Sequence, residues 1–195
     1  MNTLNIVSNL ILVLSFLLIL VLGFVISKQI VRRQNLIGRP PVPVLLFILA
    51  KSCVVVNIGF IFLSGFHVSA YSLYMPSLGI SILALLIMVI GIILLILSSF
   101  RLKSDLIFGL PREQLHMLQT KGVYRLSRHP FYLGFIFILC ASCLLYPNIV
   151  NILAFFTAWV IHHYIMIGEE NFLEQQYGEE YRQYKRKVSR YITFK

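Results

Sequence analysis

The sequence predicts an all-α integral membrane protein with five transmembrane helices, the N-terminus outside, the C-terminus cytoplasmic and a C-terminal interfacial helix. Three observations support this fold class. Hydrophobic residues make up 58% of the 195 residues and charged residues only 12%, whereas a soluble domain carries about a quarter charged residues. The apolar residues fall into five runs of helix length. Nearly all basic residues lie in alternate segments between those runs.

The five apolar runs define the predicted spans. A helix needs about 20 apolar residues to cross a bilayer, with a range of about 17–25. The predicted spans, in chain order, are Leu4–Ser27, Val44–Phe66, Leu78–Phe100, the shorter Pro130–Leu145, and Ile149–Ile167, which follows a tight turn at Pro147-Asn148. Because no basic residue precedes Lys28, we expect the first run to be a span and not a cleaved signal peptide. Residues 1–100 are predicted to form three N-terminal transmembrane helices, and residues 101–195 the cofactor-binding catalytic region.

The basic residues orient the predicted helices. Sixteen of the 17 Lys and Arg residues lie in residues 28–39, 101–128 and 182–195, and the remaining one is Lys51. The positive-inside rule places these segments in the cytoplasm. We therefore attribute the net charge of +10 to topology and contact with anionic membrane lipids, not to nucleic acid. The small size and the lack of external cysteines favour a prokaryotic plasma membrane.

The stretch Gly122–Gly134 joins the basic loop to the fourth span. Arg128 and His129 precede Pro130, and proline is favoured at the first position of a helix. The first turn of this helix has backbone N–H groups beside a cation and an imidazole, which is a site for an anionic group. The alternative is interfacial anchoring, with Tyr132 at the depth of the lipid headgroups.

A second polar cluster, Gly168–Asn171, follows the fifth apolar run. If the last two runs pair as a helical hairpin, both clusters meet at one membrane face. The sequence places Glu169 and Glu170 at the end of a membrane helix, where acids oppose the helix macrodipole. They are either a solvated helix end or a site for hydroxyl groups or a cationic ligand.

Other polar residues lie within the predicted spans. Some have two possible interpretations, and for others we predict no functional site. Lys51 either extends its side chain to the cytoplasmic interface or lines a polar cavity. The adjacent His162 and His163 point in different directions on a helix, so we predict no metal site there. Cys140 and Cys143 are read as packing residues.

Five pieces of the second half occur together in the order and spacing of one known family. They are His116-x-Leu118, Gly122-Val123-Tyr124, Arg128-His129-Pro130-x-Tyr132, Glu169-Glu170 and Tyr177-Gly178-Glu179-Glu180-Tyr181-x-x-Tyr184. In this combination, residues 100–192 resemble the isoprenylcysteine carboxyl methyltransferases. The resemblance implies a multi-pass membrane methyltransferase that binds S-adenosylmethionine at the cytoplasmic ends of its last helices. It also implies that a lipophilic small-molecule or lipidated acceptor enters from the bilayer.

The resemblance also implies roles for individual residues. The catalytic set is Arg128, His129, Tyr132 and Glu169. The cofactor-binding set is His116, Met117, Leu118, Gln119, Tyr124, His129, Pro130, Phe131, Tyr132, Glu169 and Glu170. Two departures leave the acceptor open between a prenylcysteine carboxylate and another lipophilic or small molecule. Ile165 stands where the eukaryotic enzymes have an Arg expected to touch the substrate, and Leu106-Ile107 replaces their Trp-Ser. The expected mechanism is in-line methyl transfer with no assigned general base.

Two other functions share parts of this pattern. Membrane reductases of the steroid and sterol reductase type have a similar Arg-His-Pro-x-Tyr motif but bind NADPH. The 2′-phosphate of NADPH calls for an added basic cluster, for which Arg125 and Arg128 are available. The third hypothesis for the function is a non-catalytic membrane scaffold or lipid-binding protein. Binding of S-adenosylhomocysteine, of NADPH or of neither separates the three, and the sequence predicts no oligomeric state.

Overall fold

The computed structural model describes residues 3–31, 39–68, 71–102, 110 and 117–194. The helices are α1 (Thr3–Val31), α2 (Val44–Gly65), α3 (Leu78–Leu102), α4 (Pro130–Leu145), α5 (Ile149–Tyr177) and α6 (Glu179–Lys187), with a 3₁₀ turn at Gly122–Arg125. The predicted all-α architecture is confirmed, since no β-strand occurs among these residues. An antiparallel bridge joins Arg39 and Leu110.

Four of these helices, α1, α2, α3 and α5, are long and apolar enough to cross a membrane, whereas α4 has only 16 residues. Their agreement with the predicted runs supports a multi-pass membrane protein. The count of five spans and the assignment of the two membrane sides stay predictions. The starts of α2, α3, α4 and α5 coincide with the predicted starts.

The prediction that Glu169 and Glu170 end a membrane helix is wrong. Helix α5 continues past Ile167 to Tyr177 and stops at Gly178, whose φ of 53° lies in the left-handed region that glycine adopts without strain. The apolar run ends at Ile167, but the following residues include good helix formers such as Glu and Gln, and apolar side chains of this extension pack on a buried tyrosine cluster. The two carboxylates are therefore held by a regular helix.

Helices α3 and α4 pack at an unusually close crossing formed by two buried glycines. A Cβ atom built on Gly134 would lie 2.8 Å from the carbonyl oxygen of Gly91, and one built on Gly91 would lie 2.7 Å from that of Gly134. The surrounding core joins α1, α2, α3 and α4 through residues such as Ile11, Ile61, Met88 and Ile138. This contact fixes the position of α4 and hence of the motif at its start.

A buried polar network ties α4 to α2 and α5. The Ser142 hydroxyl donates to the backbone carbonyl of Asn57 at 2.7 Å and accepts from the Asn151 side-chain amide at 3.1 Å. Asn151 also donates to the carbonyl of Tyr146 at 2.9 Å. Buried polar groups are costly unless they are paired, so these bonds specify how the three helices sit against one another.

After α6 the chain runs back along the start of α4. The backbone N–H of Arg128 donates to Ser189 at 3.0 Å, and that of Thr193 donates to Leu126 at 2.8 Å. We call residues 188–194 the C-terminal strap. In α6, Tyr181 and Tyr184 are buried against Tyr124 and therefore face the protein. The interfacial position of the helix itself stays a prediction.

Candidate active site

The loop before α4 is folded tightly enough to present Arg128 and His129 to α5. Gly122 has a φ of 66°, which allows the chain to turn into the 3₁₀ segment. Ser127 is buried, and its hydroxyl accepts from the backbone N–H of His129 at 3.0 Å and donates to the carbonyl of Arg190 at 2.8 Å. His129 occupies the N-cap position and Pro130 begins the helix. The predicted helix start is thus confirmed.

The two predicted polar clusters meet, as the hairpin argument required. His129 lies between the paired carboxylates: its Nδ1 is 3.5 Å from Glu169 Oε2 and its Nε2 is 3.3 Å from Glu170 Oε1. The Nε2 contact does not have hydrogen-bond geometry, so this buried atom has no hydrogen-bond partner among the described residues. Burial alone would lower the pKa of His129, but Glu169 and Glu170 outweigh it and raise that pKa above 6.5.

Glu170 is the buried centre of an ionic cluster. Arg128 donates to its Oε1 from Nη2 at 2.9 Å, and Arg190 donates to Oε1 and Oε2 at 2.8 and 2.9 Å. Arg128 also donates to the backbone carbonyl of Val188 at 2.7 Å. A buried charge is tolerated when it is paired in this way. Glu170 therefore fastens α5 to α4 and to the C-terminal strap, and its contact with a cofactor stays a prediction.

Glu169 has a different environment from its neighbour. Its side chain is 17% exposed, against 2% for that of Glu170. The hydroxyl of Tyr132, one turn into α4, donates to Glu169 Oε1 at 2.5 Å. Adjacent helical residues point about 100° apart, which lets one carboxylate face the strap while the other stays accessible. Glu169 is thus an oriented carboxylate that an outside donor can reach.

The remaining residues of the predicted cofactor-binding set lie in different surroundings and not in one cluster. Tyr124 is buried, and its carbonyl accepts from the Tyr184 hydroxyl at 2.6 Å; burial, together with Tyr184 and Glu169, raises the pKa of its phenol. Leu118 packs on the same cluster, whereas Met117 is exposed. Phe131 points its ring into the core around α3. Gln119 is half-buried, and Pro130 is buried. His116 lies outside the described residues.

Two parts of this site were not found from the sequence. Arg190 was counted as one basic residue of the tail, and nothing in its spacing pointed to Glu170. Lys51 was left between two interpretations, and in the structure its ammonium lies beside side chains of the helix bundle. Its Nζ lies 3.2 Å from Nε2 of His162 and 5.8 Å from the centre of the Tyr132 ring. His163 instead contacts the Tyr191 hydroxyl at 2.7 Å, so the two adjacent histidines have separate partners.

Comparison with known proteins identifies the family to which this arrangement belongs. The sequence model described as PEMT, phospholipid methyltransferase, matches residues 79–180, just over half of the chain. This chain belongs to that family. The matched region contains α3 from its second residue, α4 and α5, with both polar clusters.

Individual relatives agree with this assignment. A probable protein-S-isoprenylcysteine O-methyltransferase of Oryza sativa subsp. indica is 37% identical over 83 residues, which are 42% of this chain and 44% of the relative. The Saccharomyces cerevisiae protein-S-isoprenylcysteine O-methyltransferase is 37% identical over 84 residues, 43% of this chain and 35% of the relative. Methanethiol S-methyltransferase 1 of Bradyrhizobium diazoefficiens is 31% identical over 123 residues, 54% of this chain and 39% of the relative.

These matches confirm the resemblance to isoprenylcysteine carboxyl methyltransferases and do not favour the reductase reading. The chain spans less than half of the length of these curated relatives. Two of them are eukaryotic and one is bacterial, so the expected prokaryotic plasma membrane stays a prediction.

Proposed function

We propose that this chain is an integral membrane methyltransferase that uses S-adenosylmethionine to methylate a lipophilic or small acceptor at the cytoplasmic membrane face. The observation that carries the proposal is the oriented, partly exposed carboxylate of Glu169, held by Tyr132 and His129 within the family region. The distribution of basic residues supports the cytoplasmic orientation. Residues 101–195 supply these three side chains.

The chemical groups of this site suit the proposed cofactor. A carboxylate accepts strong hydrogen bonds from ribose hydroxyls or from an ammonium group, and Glu169 has such a carboxylate with an accessible face. The N-terminal turn of α4 favours a carboxylate, which the methionine part of the cofactor has. Tyr132 and Tyr124 provide aromatic rings beside the carboxylate, and aromatic faces attract cationic groups such as a sulfonium.

S-adenosylmethionine, held by Glu169 and the first turn of α4, would supply an electrophilic methyl group with a neutral thioether as its leaving group. The chain's own residues bind and orient. Tyr132 fixes the rotamer of Glu169, and His129 bridges α4 and the two carboxylates of α5. Such positioning and the exclusion of water supply most of the rate when no strong base is needed.

Calorimetric titration of the detergent-purified chain with S-adenosylhomocysteine tests this proposal. The Glu169→Gln variant keeps the size of the side chain and removes its charge, and we expect its affinity to fall by about tenfold or more. Glu174→Gln is the matched control, because Glu174 lies on the same helix but pairs with Arg182 and Lys185. Its affinity should equal that of the unmodified chain.

Two results would overturn the proposal. One is an unmodified chain that binds NADPH and not S-adenosylhomocysteine, which would restore the reductase reading. The other is binding of neither molecule by a folded chain, which would favour a scaffold or lipid-binding role.

A further inference from the structure

A cavity lies at the end of the helix bundle opposite the candidate active site. Its volume is about 90 Å³, and residues of α1, α2, α3, the end of α4 and the α2–α3 loop line it. Tyr146, directly after α4, is one of these residues, whereas His129 directly precedes that helix. At 1.5 Å per residue, the 16 residues of α4 separate the two ends by about 24 Å. The cavity is therefore distinct from the candidate active site.

The α2–α3 loop forms one wall of this cavity. His67 has a φ of 57°, in the left-handed region, and its backbone N–H donates to the carbonyl of Ser64 at 3.1 Å, so the chain turns at the end of α2. The N–H of Leu73 donates to the carbonyl of Pro147 at 2.7 Å, which ties the loop to the α4–α5 turn. His67 and Met75 of this loop line the cavity.

Two serine hydroxyls in the cavity wall have no partner in the described part of the chain. Serine hydroxyls within a helix often donate to the carbonyl four residues earlier, and those of Ser15 and Ser98 do so at 2.7 and 2.6 Å. Ser8 of α1 and Ser81 of α3 line the cavity, and neither hydroxyl bonds another described residue. Ser8 is only 7% exposed. Because a buried hydroxyl is costly without a hydrogen bond, these two groups indicate a polar occupant.

The other polar groups of the cavity are uncharged hydroxyls and one imidazole. The Ser64 hydroxyl donates to the carbonyl of Leu145 at 3.1 Å and that of Ser72 to the carbonyl of Tyr74 at 2.7 Å, so both oxygens keep acceptor lone pairs. The buried hydroxyl of Tyr146 has no hydrogen-bond partner among the described residues. None of the described lining residues is Asp, Glu, Lys or Arg. A charged ligand group would lack a partner of opposite charge here, which is costly.

The size and the apolar edge of the cavity define its occupant further. About 15 Å³ holds one water, so a cavity of about 90 Å³ has room for about six waters, or for a headgroup with a similar number of non-hydrogen atoms. Val68 and Met75 line the cavity and are themselves 41% and 70% exposed. The polar interior thus meets the apolar outer surface of the helix bundle. This combination matches a small hydroxyl-bearing headgroup on an apolar tail.

We propose that this cavity is a second binding site, which takes an uncharged headgroup with several hydroxyls, such as the glycerol unit of a neutral lipid. Ser8 and Ser81 bond the hydroxyls of the ligand from two different helices, and the Ser64 and Ser72 oxygens accept from them. The tail leaves the cavity past Met75. A free polyol presents the same hydroxyls, so the shared chemistry is a cluster of neutral hydroxyl groups.

The melting temperature of the full chain in detergent tests this proposal, because a ligand that binds only the folded state raises Tm with its concentration. At about 100 times its Kd, monooleoylglycerol should raise Tm by about 5–10 °C. Methyl oleate, which has the same tail and no hydroxyl, and oleoyl lysophosphatidate, which adds a charged phosphate, should each raise it by less than about half as much. Glycerol alone separates the two sources: a full rise identifies a free polyol, and no rise identifies a lipid.

Variants of the unpartnered serines locate the effect in the cavity. Ser8→Ala and Ser81→Ala each remove one hydroxyl, and each should raise the apparent Kd for monooleoylglycerol by about threefold, with about tenfold in the double variant. Ser15→Ala is the matched control, because Ser15 lies on α1 and its hydroxyl bonds within that helix. Its Kd should equal that of the unmodified chain. Each rise is measured from the Tm of the same variant without ligand, so a general loss of stability does not count.

Three results would refute the second site. They are equal rises with monooleoylglycerol and methyl oleate, stronger binding of lysophosphatidate, and an unchanged Kd in both serine variants. A folded chain whose Tm responds to neither monooleoylglycerol nor glycerol refutes it as well. No arm uses S-adenosylhomocysteine, so the outcome is independent of the test of the methyltransferase function.

Discussion

Replacing Gly134 with alanine should separate α3 from α4. The added Cβ would lie 2.8 Å from the carbonyl oxygen of Gly91, about 0.6 Å short of the 3.4 Å at which ordinary contact begins, and 3.2 Å from the backbone nitrogen of Leu95. Two of its three nearest neighbours are backbone atoms, which no rotamer change can move. The helices themselves must therefore shift.

Overpacking of this kind costs about 1–3 kcal/mol. For a chain of this size, 1 kcal/mol corresponds to about 2–4 °C in Tm, so we expect the Gly134→Ala variant to melt on the order of 5 °C lower. Gly59→Ala on α2 is the matched control, because a Cβ there meets nothing within 4 Å. It should keep or slightly raise the Tm, since alanine favours a helix by about 0.8–1.0 kcal/mol over glycine.

The native cysteines provide the assay. Cys53 is buried, and a fluorogenic thiol-reactive dye reports its exposure as the detergent-solubilised chain unfolds. Because Gly134 lies near the start of α4, the same shift should displace Tyr132 from Glu169 and weaken binding of S-adenosylhomocysteine. Equal melting temperatures for Gly134→Ala and Gly59→Ala would refute the close crossing as the feature that positions α4.

Two further predictions concern the ionic cluster. Arg190→Met removes two charge-assisted bonds to Glu170 and should release the C-terminal strap. The free energy of unfolding should fall by about 1.5–3 kcal/mol, measured as a lower Tm and faster C-terminal proteolysis. Arg186→Met, at an exposed ion pair, is the control and should change neither measurement. The raised pKa of His129 means that its stabilisation is fully present below about pH 6.5 and is lost as pH rises through that pKa. The Tm measured over about pH 6–9 should fall for the unmodified chain and change less for His129→Gln, and identical profiles would contradict this reasoning.

The pairing of the two polar clusters could be predicted because it depends on connectivity. Pro147 and Asn148 leave room for only a tight turn between α4 and α5, so the start of α4 must lie beside the part of α5 that contains Glu169 and Glu170. The Asn148 side chain accepts from the N–H of Val150 at 2.8 Å and caps α5, as Asn does at helix starts. Apolar runs and turn residues are local signals, and they were sufficient to predict that the two polar clusters meet.

The partner of each carboxylate could not be predicted, because it depends on the path of the chain after Gly178. Residues Glu169 and Glu170 are chemically identical and adjacent, so their sequence does not say which one faces inward. The difference comes from the C-terminal strap, which brings Arg190 onto one face of α5. Charge counting assigned Arg190 to topology, because long-range contacts of a short extended segment leave no periodic signal.

The two carboxylates have different surroundings because of this arrangement. Glu170 is surrounded by Arg128, Arg190 and His129, and removing one partner of such a buried charge is strongly destabilising. That cluster fixes the register of α5 against α4, and the register in turn sets Glu169 against the Tyr132 hydroxyl. The cluster around Glu170 therefore orients Glu169, whose side chain stays partly exposed, and we propose that this exposed carboxylate is the one that binds a ligand.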